Sequence, residues 1–349
     1  MRKKINGKVI FNAAVIILSV GLIIYFCLSE NGLVDLAKNI NDFKKGWLVL
    51  ALCGMLGDLF LDAVLIYLFT RASDKRYTMR GAAKSCMVGH FYSAITPFQS
   101  GGQPMQIYVM AKQGVDAGIS TSALVQKFLV YQSCLVAYSA AAILLRFSFF
   151  SKSLGGGILG IALIGFSVQA FVIVMILLFS FNRPLTHKIL TRLCRLLFKF
   201  HLLKDYESAI ETLETQLDYF HESNKKLYRH KKLLMITCVL TVMQQTSLFA
   251  VSYCVYRAFN IGFASPVDMI FAQAFVTMVS SMVPLPGAAG ASEGSFYLFF
   301  SMFFTGGTIK SAILLWRIFS YYAVILVSAP FCGITKKMQE RGKKQRQGL

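Results

Sequence analysis

Five ionisable residues lie inside or directly beside apolar segments of this 349-residue chain. They are Asp58, Asp62, Lys127, Glu293 and Arg317. A charge at the centre of a bilayer costs about 2.5–3.5 kcal/mol on insertion scales, so these residues are expected to face a protein interior and to pair there. Because Asp58 and Asp62 are four residues apart, they share one helix face. Their carboxylates could bind a cationic group or couple transport to a gradient, or they could form a structural pair with neighbouring helices or with Lys127.

The positions of the basic residues allow two interpretations. Lys127 lies about two turns into its apolar segment, where its ammonium could bind a ligand or, as we favour, reach back to the membrane interface. Glu293 directly precedes the last apolar segment, and Arg317 lies inside that segment, so the sequence predicts that the two pair. Three glutamines in other apolar segments are expected to hydrogen-bond neighbouring helices to one another. They are Gln169, Gln244 and Gln245.

Two further apolar segments are each interrupted by proline, glycine and polar residues. The interruptions cover residues 96–104 and 284–294. Proline and glycine free backbone groups that lipid cannot satisfy, and such backbone is tolerated only where it is packed in protein or lines a watery cavity. A pair of broken segments, one in each half of the chain, is typical of a transporter's binding site. The sequence therefore predicts a membrane translocator.

The predicted substrate path follows from these two breaks. Its expected residues are Thr96, Pro97, Gly101, Gly102, Gln103 and Pro104 from the first break, and Pro284, Pro286, Gly287, Gly290 and Glu293 from the second, with Arg317 beside them. Alternatively, the prolines and glycines only permit the turns and do not touch a substrate.

The elements that must position these residues are membrane helices. The chain is 56% hydrophobic with a mean hydropathy of +0.58, which is too apolar for a soluble domain of this size. Windows of about 20 apolar residues, the length that crosses a bilayer, recur along it. We predict an all-α, polytopic membrane protein with one domain, 1–349. Its six full spans are predicted at 9–29, 47–69, 121–145, 156–181, 233–257 and 311–332, the first uncleaved, and its two re-entrant hairpins at 82–118 and 266–306.

Charge placement orients these spans. Most of the 36 lysines and arginines fall on one side of the membrane if both broken segments return to the side from which they enter. That side is then predicted to be the cytoplasm, and both chain termini are expected there. The protein itself is expected in the cell membrane. The first hairpin opens from the cytoplasm and the second from outside. Opposed hairpins suggest an inverted repeat of a span–hairpin–span unit, inferred from topology because the two halves share no evident sequence identity.

The net charge of +20 has a membrane explanation. Basic residues orient the spans in the membrane and attract the anionic cytoplasmic leaflet, and these two roles account for the charge. No nucleic-acid partner is expected. The loop 182–232 carries an amphipathic pattern with apolar residues every three or four positions. They are Leu203, Tyr206, Ile210, Leu213, Leu217 and Phe220. This predicts a helix that covers the cytoplasmic ends of the spans or, alternatively, binds a partner or a second copy of the chain.

Sequence spacing points to no cofactor and no metal. The eight cysteines show no C-x-x-C spacing and are interpreted as small buried hydrophobes. Only His90 of the five histidines is expected at membrane depth, so no metal cluster is predicted. Nucleophile and phosphate-loop motifs are missing, which leaves no catalytic residue to assign and argues against direct ATP drive.

The two breaks together resemble one known family. The pattern T-P-x-x-x-G-G-Q-P, from Thr96 to Pro104, and the pattern P-x-P-G-A-A-G-A-S-E, from Pro284 to Glu293, are similar to the paired motifs of the lysylphosphatidylglycerol synthase transmembrane, or flippase-like, family. In members with aminoacyltransferase activity, a soluble domain follows the spans and transfers lysine from lysyl-tRNA to phosphatidylglycerol, and this chain is expected to lack that domain. The resemblance implies the translocating half, which flips an aminoacylated phosphatidylglycerol or a related envelope lipid.

Departures from the family pattern bear on the substrate. Gln103 stands where many relatives have glutamate, and Gln106 where many have arginine. Ala288 and Ala289 occupy positions often filled by glycine or a small apolar residue. These changes leave the head group open between zwitterionic and cationic. The implied partners are membrane phospholipids, with a homodimer or a separate lipid synthase left open. Two alternatives remain, a membrane-embedded lysyltransferase using His90 with an aspartate and a non-catalytic envelope scaffold.

Overall fold

The computed structural model describes residues 43–199, 206–304 and 307–332, which are helical with short turns and contain no strand. We number its helices α1 to α10. They are α1 Lys45–Arg71, α2 Met79–Ile95, α3 Gly102–Lys112, α4 Ala117–Phe181, α5 Arg183–Lys199, α6 Tyr206–Arg229, α7 Lys231–Ala258, α8 Pro266–Ser280, α9 Ala291–Phe300 and α10 Ile309–Arg317. A π-helical turn, Ile318–Tyr322, continues α10, so that the last helical stretch runs to Cys332.

Five helical stretches of the described residues are long and apolar enough to cross a membrane. They are Lys45–Arg71, Ala117–Arg146, Leu163–Phe181, Lys231–Ala258 and Ile309–Cys332. Each overlaps one of the predicted spans from 47–69 onward, while 9–29 lies outside the described residues. Large apolar side chains such as Phe60 and Val239 are more than half exposed on their outer faces, as lipid-facing helices require.

Helices α1 and α7 form an antiparallel pair that divides the bundle into two ends. The Lys44 amide donates to the Ala258 carbonyl at 3.1 Å, and the Ser247 hydroxyl donates to the Gly54 carbonyl at 2.9 Å. We call the end where α1 finishes and α7 begins the basic end, because Arg71 and Lys231 lie there. The opposite end, where α7 finishes, is the distal end.

Helices α2 and α3 fold into the first hairpin, which rises from the basic end. At its base, the Gln113 side chain donates to the Gly81 carbonyl at 3.3 Å. Near its tip, Gly102 lies so close to Ser93 that a β-carbon on the glycine would meet the serine hydroxyl at 1.9 Å. The closeness of the two arms requires glycine at this position.

Helices α8 and α9 fold into the second hairpin, which enters from the distal end. Ser280 and Ser295 place their hydroxyls 3.3 Å apart near the tip, and the rings of Phe275 and Phe299 lie 5.5 Å apart along the arms. The helices therefore break at both interruptions, and the two arms of each hairpin lie side by side.

Helix α4 contains two of the predicted spans. Its residues are helical from Ala117 to Phe181, so the connection between the two predicted spans is helical and not an extended loop. However, Gln132 donates to Gln169 at 2.5 Å, whereas 37 residues of straight helix would separate them by about 55 Å. The chain therefore reverses between these residues, and the two spans of α4 lie side by side.

The segment between α4 and α7 contains two helices where the sequence predicted one. The predicted amphipathic helix is confirmed as α6, although Leu203 lies outside the described residues. Helix α5 was missed. Asn224 of α6 is buried and accepts hydrogen bonds from Ser122 at 2.8 Å and Gln126 at 2.9 Å. Its burial against both spans of α4 places α6 over the basic end, as the covering interpretation predicts.

Candidate functional site at the meeting hairpin tips

The tips of the two hairpins meet inside the bundle. The short 3₁₀ turns Pro97–Gln99 and Pro286–Ala288 form these tips and contact each other. Because α1 and α7 are antiparallel and each hairpin follows one of them, the hairpins approach from opposite ends. All candidate path residues of the two breaks consequently lie at or near one junction.

The two tips have the same backbone conformation. Thr96 and Leu285 precede the turns with φ near −115° (−117° and −111°) and ψ of 147°. Phe98 has φ 53° and ψ 17°, and Gly287 has φ 60° and ψ 14°. Helices α3 and α9 then begin at equivalent positions. The two tips therefore share one local backbone geometry although their residues differ, and the inverted repeat of whole units stays a prediction.

Three non-glycine residues at the tips have positive φ, a conformation that side chains disfavour. They are Phe98, Gln99 and Ala288, with φ of 53°, 56° and 49°. Left-handed backbone costs about 1–2 kcal/mol per non-glycine residue, and such strain persists only where the surrounding structure enforces it. The Phe98 ring is 59% exposed, so its own packing does not stabilise this conformation.

Arg317 holds the second tip in place. Its Nε donates to Glu293 Oε1 at 2.6 Å, and its Nη2 donates to the Gly287 carbonyl at 3.0 Å. The other carboxylate oxygen of Glu293 accepts from the Gly290 amide at 2.7 Å. Arg317 is 6% exposed and Glu293 is 8% exposed. The predicted Glu293–Arg317 pair is confirmed, and both carboxylate oxygens have donors in this arrangement.

Tyr321 joins the two tips, and sequence reasoning missed it. Its hydroxyl donates to the Ala94 carbonyl at the end of α2 at 3.0 Å. Its ring lies against Gly287, where an added β-carbon would approach the ring to 2.4 Å. The guanidinium of Arg317 also lies 5.1 Å from the centre of the Tyr321 ring. A tyrosine four residues after a buried arginine was the only sequence signal available.

The first tip is fixed by Thr96. Its hydroxyl donates to the Tyr92 carbonyl at 2.6 Å and accepts from the Gly101 amide at 2.9 Å. Gly102 is buried between the arms, whereas Gln103 and Pro104 are exposed. Thr96 and Gly102 are therefore part of the turn's own packing, and Gln103 is one of the polar side chains that the first break exposes.

Residues of the second break divide in the same way. Pro286 is buried at the start of its turn, while Pro284 and Gly290 are exposed on either side of it. Pro97, at the equivalent start of the first turn, is half-buried. The backbone of each break thus alternates between packed and accessible positions.

Two helix N-termini converge at the junction. Helices α3 and α9 both start at a tip and run away from it, with Gly102 and Ala291 as their first residues. The first amides of a helix have no intrahelical acceptor and carry a partial positive charge, so they favour anions such as phosphate. The guanidinium of Arg317 adds a positive charge beside them, balanced by Glu293.

The remaining predicted charges form a second cluster on α1, α2 and α4. Lys127 Nζ lies 2.7 Å from Asp62 Oδ1, and the Gln244 side chain donates to the same oxygen at 3.2 Å. Lys127 therefore pairs with Asp62 and does not reach back to the interface, which corrects the favoured interpretation. Asp58 is buried one turn earlier on α1 and lies beside Gln244.

Two residues of α2 complete this cluster. His90 Nε2 and Cys86 Sγ each lie 3.3 Å from Asp62 Oδ2. Sequence reasoning treated Cys86 as a small hydrophobe and predicted no metal-ligating group. The signal that could have found it is the i, i+4 spacing of Cys86 and His90, which places both on one helix face.

The other intramembrane glutamines join helices, as predicted. Gln169 donates to Ser281 of the second hairpin at 2.9 Å, and Gln245 donates to the Tyr131 carbonyl at 2.7 Å. These bonds connect α4 to α8 and to α7.

Comparison with known proteins decides the family. The model of the lysylphosphatidylglycerol synthase TM region matches residues 10–328. The chain belongs to this family. A UPF0104 membrane protein of Archaeoglobus fulgidus is 22% identical over 297 residues, which cover 82% of this chain and 86% of the archaeal protein. The family match contains both hairpins and both charged clusters, and it confirms a multi-pass membrane protein.

Proposed function

We propose that this family member translocates a polar-headed phospholipid, such as an aminoacylated phosphatidylglycerol or a related envelope lipid, between the leaflets of the cytoplasmic membrane. The meeting of two opposed hairpin tips inside the bundle is the observation that carries this proposal. A lipid flippase must lower the cost of moving a polar head through hydrocarbon while the acyl chains remain in lipid. Unpaired backbone groups at membrane depth can replace the hydration that the head group loses.

The lipid phosphate is assigned to the converging helix N-termini. The first amides of α3 and α9 point toward the junction from opposite sides, and each can donate to a phosphate oxygen. Arg317 lies beside them, but its Nε and Nη2 already bind Glu293 and Gly287. In this proposal Arg317 therefore fixes the tip, and the backbone makes the contacts to the phosphate.

The head-group amine, where the lipid has one, is assigned to carboxylates other than Glu293. Both oxygens of Glu293 have donors, so this side chain serves the tip. Asp58 is a buried carboxylate on the side of the first hairpin and lies beside the Gln244 amide. It is the acid best placed to attract a cationic group that passes the first tip.

Passage requires the tips to separate. In this structure they touch, and Tyr321 links them by its bond to the Ala94 carbonyl. We propose that the path opens when this bond breaks. In this proposal the basic end faces the cytoplasm beside the anionic leaflet, and both chain termini lie on that side. Lipid substrate would come from a separate synthase, and a homodimer remains compatible with the exposed helix faces.

Leaflet exchange of fluorescent lipids in proteoliposomes tests the proposal. Phosphatidylglycerol, lysylphosphatidylglycerol and a glycolipid are compared for the wild type, Gln103→Leu, Glu293→Gln and a matched control, Glu222→Gln. Glu222 is an exposed carboxylate of α6, far from the tips. Size-exclusion chromatography confirms folding of each variant.

The expected result is exchange by the wild type and by Glu222→Gln, with slower exchange by the two tip variants. Gln103 is exposed, so Gln103→Leu should fold even if Glu293→Gln does not. Absence of exchange of all three lipids by the folded wild type would overturn the proposal. Equal exchange by every variant would establish transport but exclude the tips as its path.

A further inference from the structure

Helices α1 and α2 each direct a pair of polar side chains toward the other helix, below the first tip. Asp58 and Asp62 are four residues apart on α1, and Cys86 and His90 are four residues apart on α2, so each pair lies on one helix face. The ligand atoms of Asp62, Cys86 and His90 all lie within 4.8 Å of one another. Carboxylate oxygen, thiolate sulfur and imidazole nitrogen are the donors that zinc takes in proteins.

The two oxygens of Asp62 have different surroundings. Oδ1 accepts from Lys127 Nζ and from the Gln244 amide. Oδ2 instead faces Cys86 Sγ and His90 Nε2, each at 3.3 Å. Hydrogen bonds to the non-ligating oxygen are the outer-shell support that orients a metal-binding carboxylate. From this arrangement we propose that Asp62 Oδ2, Cys86 Sγ and His90 Nε2 bind a zinc ion.

The two distances from Asp62 Oδ2, each 3.3 Å, fit a tetrahedral site. Zinc bonds of about 2.0–2.3 Å place neighbouring ligand atoms about 3.3–3.7 Å apart. His90 Nε2 is buried and makes no hydrogen bond of acceptable geometry, although Asp62 lies near it. This is the orientation expected if Nε2 of His90 carries a lone pair directed at a metal ion between the three ligand atoms. It is less suited to an Nε2–H group that donates to the Asp62 carboxylate. A fourth position would be filled by water, as in zinc sites with three protein ligands.

The charges balance with a divalent ion. Two buried carboxylates and one ammonium, Lys127, leave one negative charge. Binding of zinc forms a Zn–S bond and breaks the S–H bond of Cys86, whose proton passes to solvent. The thiolate adds a second negative charge, and the ion neutralises both. A neutral cluster avoids the cost of an unpaired charge in a buried site.

Such an ion would pin the first hairpin to α1. Cys86 is fully buried, while the His90 side chain is 27% exposed. The inference is independent of lipid translocation, because the site lies below the tip and none of its three ligands is assigned to the phosphate or to the amine. It would stand if no lipid were exchanged, and its failure would leave the proposed function untouched.

Metal binding to the full-length protein in detergent tests this site. The protein is stripped with a chelator, dialysed and titrated with zinc by calorimetry in two buffers of different ionisation enthalpy. We expect about one ion per chain and release of about one proton per ion. Titration with cobalt should give the near-ultraviolet charge-transfer band of a thiolate ligand and the visible bands of a tetrahedral site.

Two ligand variants and one control complete the experiment. Cys86→Ser should lose the thiolate band and the proton release, and His90→Gln should weaken zinc binding by more than the 10–100-fold expected of outer-shell changes. Cys53→Ser, which alters an exposed cysteine, should bind as the wild type does. A wild-type protein without the thiolate band would overturn the proposal, and that spectrum does not depend on whether any variant folds. Zinc binding that is unchanged in folded His90→Gln would also overturn the proposal.

Discussion

Arg317 and Glu293 connect the last span to the second hairpin through a bond of 2.6 Å between Nε and Oε1. Both side chains are nearly excluded from solvent and lipid, with exposures of 6% and 8%. The same arginine binds the Gly287 carbonyl, and the same glutamate binds the Gly290 amide. The pair therefore fixes the tip at two backbone points in addition to neutralising its own charges.

Removal of one partner of this pair should destabilise the protein more than removal of both. Arg317→Gln alone leaves the Glu293 carboxylate buried without a counter-charge, at a cost of about 3–5 kcal/mol. The double variant, Arg317→Gln with Glu293→Gln, should cost less than the sum of the single variants. Thermal unfolding in detergent, arranged as a double-mutant cycle, measures the difference. Strictly additive effects would show that the two side chains do not interact.

Gly287→Ala should destabilise the second tip. Gly287 has φ 60°, and a β-carbon there would approach the Tyr321 ring to 2.4 Å. Left-handed strain and overpacking together predict a loss of at least about 2 kcal/mol. Gly294→Ala is the matched control, because nothing lies within 4 Å of its added β-carbon. In helix α9 this change should stabilise by up to about 1 kcal/mol. Equal unfolding temperatures for the two variants would contradict the proposed contact.

Gln103→Glu should change lipid preference without unfolding the hairpin. Gln103 is exposed in the first turn of α3. A carboxylate there is favoured by the helix dipole, so folding should be retained. The added negative charge should repel an anionic head group and attract a cationic one. Exchange of lysylphosphatidylglycerol relative to phosphatidylglycerol should therefore rise several-fold in proteoliposomes, and an unchanged ratio would place Gln103 outside the path. Gln103→Asn, which keeps a neutral amide at the same position, is the control.

Hairpin breaks and spans could be predicted from this sequence because they rest on local chemistry. Pro97 and Pro286 each begin a turn at the centre of an apolar segment, and lipid cannot satisfy the backbone groups they free. Charge placement then required both hairpins to return to their own side. The Glu293–Arg317 pair followed from the same logic, since two buried charges close in the chain have few other partners.

Contacts between distant segments could not be predicted in this way. Tyr321 joins the tips through a backbone carbonyl of residue 94, which carries no sequence signature. Cys86 reaches Asp62 only because α2 folds back against α1. The similarity of the two tips is visible in φ and ψ and not in residue identity, because Phe98 and Gly287 have the same backbone conformation with different side chains. Helix α5 was missed because its basic residues were interpreted only as loop charge, and the apolar residues between them were not considered.

Docking of α6 on α4 should weaken in acid because of His221. Partial burial lowers the pKa of His221 below its ordinary value of 6.5, and the nearby Arg183 acts in the same direction, while the Ser180 carbonyl and Asp218 oppose the shift. The folded state therefore binds this proton less readily than the unfolded state. The stability contributed by neutral His221 is present above pH 6.5 and is lost as the pH falls through the lowered folded-state value.

Unfolding temperatures of the wild type, measured on both sides of pH 6.5, should fall more steeply toward acid than those of His221→Gln. His230→Gln, which alters an exposed histidine between α6 and α7, should follow the wild type. If His221→Gln and the wild type lose stability in parallel, the acid sensitivity of this end of the bundle belongs to other groups. Asp218 and Glu214, which pair with Arg183 and His187 on the same surface, would then be the next to test.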